Sequence, residues 1–244
     1  MTELTTDRTD RPATDPAPLA AAYRQIRRNM ADLLDEHDSA LALGVATCPG
    51  WTVGDLLGHL VEVCARVNAR VTGGGDPAPT GGGDPAPTGV ASSGSVQQLF
   101  EAWQRYSGPV EMFLSEPFTL DRAVLVMDTF THELDLRRAL GVAPPIGHPA
   151  QPVAMEVLVK GFSAAVRARQ LPAVRIETEH GQWLVGDGEP AAVASGSWYE
   201  IYLMLSGRRT EAQIRALQWS ADPAPWFPAF TWGPFVMPSA VVEQ

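Results

Sequence analysis

Between Leu19 and Leu140 apolar side chains recur every three or four residues in four separate stretches. A chain patterned this way hides its apolar stripes by packing helices on one another. In the first stretch Leu19, Tyr23, Ile26, Met30, Leu33 and Leu34 define a helix over 19–36. In the second, Pro49 and Gly50 force a turn, and Thr52 followed three residues later by Asp55 forms a capping box. Leu56, Leu57, Leu60, Val63 and Val67 then run at helical spacing and place a helix over 53–71. A third helix is expected over 95–115, broken near Gly108 and Pro109. A fourth covers 120–140 and is stopped by Gly141, Pro144 and Pro145. Four such helices, joined up and down, make a bundle.

The rest of the chain reads differently. Residues 1–17 are polar and are expected to be a disordered leader. The octapeptide TGGGDPAP occurs at 72–79 and again at 80–87, so 72–94 is expected to be a flexible Gly/Pro loop. It lacks the Lys-Ser or Lys-Thr of a phosphate loop. Beyond a helix over 152–169, AVRIETE (173–179) and QWLVGD (182–187) alternate apolar and polar residues across His180-Gly181, a hairpin pattern. Residues 191–196 can add a third strand, and 197–209 return to helical spacing. The aromatic, Pro-rich end is expected to be irregular. The fold class is therefore α+β: a helical bundle over 18–149, then a small α+β domain over 150–244.

Charge narrows the partners. The formal net charge is -10, which argues against nucleic acid and against an anionic membrane surface. No apolar run approaches the roughly 20 residues that cross a bilayer, and no signal peptide precedes the first helix. Two cysteines, Cys48 and Cys64, make no disulfide framework. A cytoplasmic protein, monomer or homodimer, that handles small molecules is the expectation. Lys160 is the one lysine among 18 basic residues, a high-GC coding bias.

The residues richest in chemistry lie in the fourth helix. Asp128, His132 and Asp135 are spaced four and three apart, so they project from one helical face. A carboxylate and an imidazole four apart can close on one divalent cation, and His59 on the second helix could add a third ligand across the bundle. Three protein ligands leave the open position that a catalytic zinc needs. Asp55 and Glu62 flank His59 at helical spacing; either could orient its imidazole, and Glu62 could itself be a ligand. Plainer roles stand beside these. Asp128 and His132 can share a surface hydrogen bond, His59 can be a satisfied core residue, and Asp135 and Arg137 can be a salt-bridged helix end. Cys48 and Cys64 read as small buried hydrophobes, and Trp51 as a plug for the bundle end. His37, His148 and His180 sit in turns with no evident partner. No Gly-x-Ser-x-Gly elbow of a serine hydrolase occurs.

The segment TCPGWTVGDLLGHL, followed by D-x3-H-x2-D-x-R-x2-L-G from Asp128 to Gly141, resembles the mycothiol-dependent maleylpyruvate isomerase family, among the DinB-like four-helix-bundle metalloenzymes. The run ASGSWYEIYLMLSGRR is similar to that family's C-terminal domain. The resemblance implies a DinB-like bundle over 18–149 and a divalent metal, usually zinc, on His59, Asp128 and His132. Asp128 stands where the family usually has Glu, one methylene longer. Asp135 would orient His132, and Arg66, Arg70, Arg122 and Arg208 are candidates for holding substrate or thiol. The implied cofactor is mycothiol, and the implied source actinobacterial. The implied reaction is addition of a metal-bound thiolate to an activated electrophile, giving cis-trans isomerisation of an unsaturated keto acid. A mycothiol S-transferase of detoxification or natural-product assembly is one alternative. A non-catalytic ligand-binding module on the same fold is another.

Overall fold

The structure, a computed structural model, describes residues 17–35, 37–74 and 94–240. The expected leader up to residue 16 and nearly all of the expected 72–94 loop lie outside these, and Ala17 already belongs to the first helix. Helix α1 (Ala17–Leu34) buries the stripe Leu19, Tyr23, Ile26, Met30 and Leu34. Helix α2 (Val53–Val71) starts at the capping box, with the Thr52 side chain accepting from Asp55 N and the Asp55 side chain accepting from Thr52 N. Helix α3 (Val96–Leu114) opens on a second capping box, Ser95 and Gln98. Helix α4 (Leu120–Ala139) is buried almost throughout from Arg122 to Leu136.

Two expectations about these helices need correction. α3 runs unbroken through Pro109. Its inward stripe of Leu99, Trp103, Ser107, Val110 and Leu114 stays continuous across the proline. The carbonyl that Pro109 cannot cap belongs to Arg105, an exposed residue where water can serve it. The helices also do not simply alternate. Asp38, just past α1, accepts from Val96 N at the start of α3, while Arg24 near the other end of α1 pairs with Glu111. α3 is thus antiparallel to α1, hence parallel to α2. α4 turns back along α2, since Cys48 before α2 meets Asp135 while His59 within it meets Asp128. The order is up-down-down-up. A 19-residue helix is about 28 Å long, and the 24 residues from 72 to 95 suffice to return over that length.

Helix α5 (Ala150–Ala168) packs on α4 with one side and on the C-terminal sheet with the other. Strands β1 (Val174–Thr178) and β2 (Gly181–Val185) form the expected antiparallel hairpin, and β3 (Ala192–Ser195) lies parallel to β1. A short β4 (Gln218–Trp219) completes the order β2-β1-β3-β4. Helix α6 (Trp198–Leu205) is shorter than expected, and a separate α7 (Glu211–Ala216) follows on its own Thr210/Gln213 capping box. The end of the chain is not irregular throughout. Residues Ala224–Phe230 form a 3-10 turn with Phe230 stacked on Phe162 of α5, ring centroids 4.6 Å apart, and Trp226 Nε1 donating to Pro172 O at 2.7 Å. Burial of aromatic rings, not helical periodicity, orders this tail. Among the described residues no helix is long and apolar enough to cross a membrane.

The tail is seated on α5 at one glycine. A Cβ on Gly161 would stand 1.9 Å from the ring of Trp232, whose Nε1 donates to Leu205 O at 3.2 Å. Alanine ordinarily favours a helix interior over glycine by about 1 kcal/mol. Gly161→Ala should instead destabilise the protein by about 1–3 kcal/mol, because the tryptophan must move. A urea unfolding midpoint equal to or above the wild-type value would contradict this packing.

Candidate metal centre

The antiparallel seam of α2 and α4 brings two histidines and a carboxylate to one point. His59 and His132 are buried, with ring centroids 5.0 Å apart, and Asp128 is about one-third exposed beside them. His59 Nε2 lies 4.0 Å from Asp128 Oδ2, and His132 Nε2 lies 3.8 Å from Asp128 Oδ1. Both separations exceed a hydrogen bond. Two donors each bound at about 2.1 Å to a tetrahedral zinc stand about 3.4 Å apart, and the donor atoms of the three residues lie within 4.8 Å of one another, so the side chains would draw together to hold one cation. The Asp128 carboxylate faces both imidazoles, one oxygen toward each ring.

His132 is held from behind. Its Nδ1 donates to Asp135 Oδ2 at 3.2 Å, which turns the Nε2 lone pair toward Asp128 and His59. Asp135 is fully buried and accepts Arg208 Nη2 on the same oxygen at 2.7 Å and Arg208 Nε on the other at 3.2 Å. Cys48 Sγ donates to Asp135 Oδ2 at 3.7 Å. Burial alone would raise the Asp135 pKa, but the Arg208 guanidinium and the His132 ring hold it well below the ordinary carboxylate range. Burial would lower His132, yet its bond to Asp135 and its contacts with Cys48 and Asp128 leave it well above an ordinary imidazole. A proton therefore competes with any cation for His132 Nε2. Trp51 covers both imidazoles, stacked on His132 at 6.1 Å and tilted on His59 at 5.2 Å.

Cys48, His132 and Asp135 also bring three donor atoms close together. The guanidinium of Arg208 already occupies the space a cation would need beside that carboxylate, so this grouping works as a hydrogen-bonded brace. Cys48 is buried, and its thiol belongs to the brace as a donor.

The other sequence candidates are scattered. The Asp55 carboxylate is engaged by Thr52 N and Oγ1 at 2.9 and 2.7 Å, in the helix cap. Glu62 is half-buried, one turn beyond His59. Arg66 is half-buried and Arg70 exposed, further along α2. Arg122 serves the α3–α4 turn: it donates to Phe113 O and Pro117 O at 2.7 Å each, pairs with Glu116 and lies over the Phe113 ring at 4.3 Å. Arg208, a substrate candidate by sequence, is the counter-ion of Asp135.

Two buried groups escaped the sequence. Glu133 accepts from Asn29 Nδ2 at 2.9 Å and from Arg137 Nε at 2.8 Å. Arg137 thus pairs with Glu133, four residues back. His148, without an evident partner by sequence, stacks on Phe130 at 4.7 Å and accepts Ala150 N on Nδ1 at 3.0 Å. Burial and the charge of Arg137 push its pKa down to about 4. The spacing of Glu133 and Arg137 was available as a signal; the tertiary partners were not.

Asp135→Asn should destabilise the protein by about 3–5 kcal/mol, because Arg208 would stay buried without a counter-charge. The Asp135 pKa is depressed by folding, so its contribution is complete above about pH 4 and is lost as the pH falls further. The gap between wild type and variant, followed by urea unfolding across a pH series, should be widest between about pH 4 and the ordinary imidazole pKa near 6.5, shrink in acid, and narrow as the pH rises and His132, whose pKa Asp135 raises, loses its proton. A gap that is absent at neutral pH, or that widens in acid, would contradict the brace.

Residues 19–174 match the family described as the mycothiol maleylpyruvate isomerase N-terminal domain. Among solved structures, the fold is similar to a crystal structure of the mycothiol-dependent maleylpyruvate isomerase, with a TM-score of 0.59 and 15% identity over 88% of this chain and 96% of that one. A mutant of that isomerase with one histidine replaced by alanine gives a TM-score of 0.58 at 15% identity and the same coverage. At that identity the likeness is one of fold. No curated protein sequence matches the chain. The family match takes in well over half of the protein, from α1 to the first residue of β1: the chain belongs to the mycothiol maleylpyruvate isomerase N-terminal domain family.

Proposed function

We propose that the protein is a metal-dependent enzyme of the maleylpyruvate isomerase type that works with mycothiol in the cytoplasm of an actinobacterium. The observation that carries this reading is the convergence of His59 Nε2, the Asp128 carboxylate and His132 Nε2, with Asp135 and Arg208 braced behind. The group that fits is a divalent cation, zinc above all, since two imidazoles and a carboxylate are its ordinary ligands. When bound, cation and thiol together supply a thiolate in place of a thiol of ordinary pKa near 8.5, and with it reversible addition of sulfur to an activated C=C bond.

The chain's own residues do the rest. Asp135 keeps the proton of His132 on Nδ1, so Nε2 stays available as a donor atom. Trp51 closes the site on one side and excludes water there. Asp128 is partly exposed, which leaves the other side open to ligands. His59, Arg66 and Arg70 are spaced seven and four apart and share a face of α2. Leu120 and Val124, both exposed, share the face of α4 that bears Asp128. Because α2 and α4 run antiparallel, the cationic stripe and the apolar stripe leave the site in the same direction. In this reading the guanidiniums of Arg66 and Arg70 receive the carboxylates of a small unsaturated keto acid.

The protein should bind about one zinc per chain, and His59→Ala and His132→Ala should lose it. Equal metal content in wild type and variants would contradict the site. Turnover of an activated cis-alkene should require an added low-molecular-weight thiol, and unchanged turnover without thiol would contradict the mechanism. Mass spectrometry of the product separates the isomerase from the S-transferase alternative: unchanged mass supports isomerisation, and a thiol adduct supports transfer.

A further inference from the structure

The α1–α3 seam lies across the bundle from the α2–α4 seam that holds His59 and Asp128. It opens into a cleft of about 740 Å3, within the range of small-molecule sites. Arg24, Arg27 and Arg28 of α1 and Arg105 of α3 line it, with Phe100 in the wall. Glu111 answers two of the four guanidiniums, accepting from Arg24 at 3.3 Å and Arg27 at 2.9 Å. Arg27 also donates to Gln104 and lies over the Trp103 ring at 5.7 Å, which fixes it in the floor. Arg28 donates to Gln25 Oε1 at 2.8 Å and meets no carboxylate among the described residues. Arg105 forms neither an ion pair nor a hydrogen bond among them. The other carboxylate at the rim, Glu101, accepts the Gln97 amide at 2.8 Å.

A chain of net charge -10 therefore gathers four of its 18 basic residues around one hollow, and two of them form no ion pair among the described residues. Like charges held close repel unless an anion sits among them. Arginine adds geometry to charge: its planar fork takes a carboxylate or phosphate by two parallel hydrogen bonds. Phe100 supplies a flat apolar surface, stacked on Trp103 at 5.9 Å with 19° between the rings. We infer that the cleft binds a small molecule bearing a flat ring and a dianionic group, the anion held between Arg28 and Arg105 and the ring laid against Phe100. The site is separate from the proposed metal centre and does not depend on it.

Isothermal titration of the full-length protein with two probes tests this. Adenosine monophosphate carries the ring and the dianion as a phosphate; isophthalate carries them as a ring with two carboxylates. At least one should bind saturably at one site per chain, and which one does identifies the anion. In the Arg28→Ala/Arg105→Ala double variant the affinity should fall about tenfold or more. Both side chains are exposed, so the variant should keep the wild-type melting temperature. In His132→Ala the affinity should be unchanged. Absence of saturable binding by either probe would overturn the inference. So would equal affinity in wild type and double variant, or loss of binding in His132→Ala, which would move the anion to the other seam.

Discussion

One buried carboxylate joins three distant parts of this chain. Asp135 on α4 accepts His132 from its own helix, Cys48 from the turn before α2, and Arg208 from the segment after α6. A carboxylate with no solvent access is tolerable only when its lone pairs are filled, and here the guanidinium fills both oxygens. Arg208 thereby ties the segment after α6 to the candidate site. In the proposed site the bundle holds the donor side chains, and Asp135, fixed by Arg208, sets the aim of His132.

The topology explains why such a site arises between α2 and α4. With the helices ordered up-down-down-up, these two run antiparallel, and residues far apart in sequence meet at mid-height. α4 is buried nearly all round, so the partial exposure of Asp128 within the buried run from Leu125 to Leu136 marks where the seam opens. On the far side of the bundle α1 and α3 form a second open seam, of different chemistry: arginines instead of imidazoles. The two seams are the natural places for ligands in a bundle whose other contacts are close-packed.

Local physics was plainly legible in the sequence. The Thr52/Asp55 box and the apolar stripe after it gave the bounds of α2, and the Asp128–His132 spacing gave a shared helical face. What depends on tertiary partners was not legible. Asp55 next to His59 in helical spacing suggested an orienting role, yet its carboxylate caps the helix. Arg208 looked like one of four interchangeable arginines until burial opposite Asp135 singled it out. Pro109 looked like a break, because spacing alone does not tell which side of a helix faces water. The tail lacked periodicity and yet is ordered by rings, Phe230 on Phe162 and Trp232 on Gly161. Glu133 and His148 show the same limit: their buried side chains, with His148 Nε2 3.4 Å from Glu133 Oε2, are defined by what surrounds them.

In the proposed centre His59, Asp128 and His132 share one cation while Asp135 stays outside the coordination sphere. Anomalous difference density from crystals grown with zinc, collected on both sides of the zinc absorption edge, tests it most directly. One peak is expected about 2.0–2.2 Å from His59 Nε2, His132 Nε2 and an Asp128 oxygen, with Asp135 still bound to Arg208. A peak on Cys48 and Asp135, or no peak with the three side chains hydrogen-bonded only to one another, would contradict it.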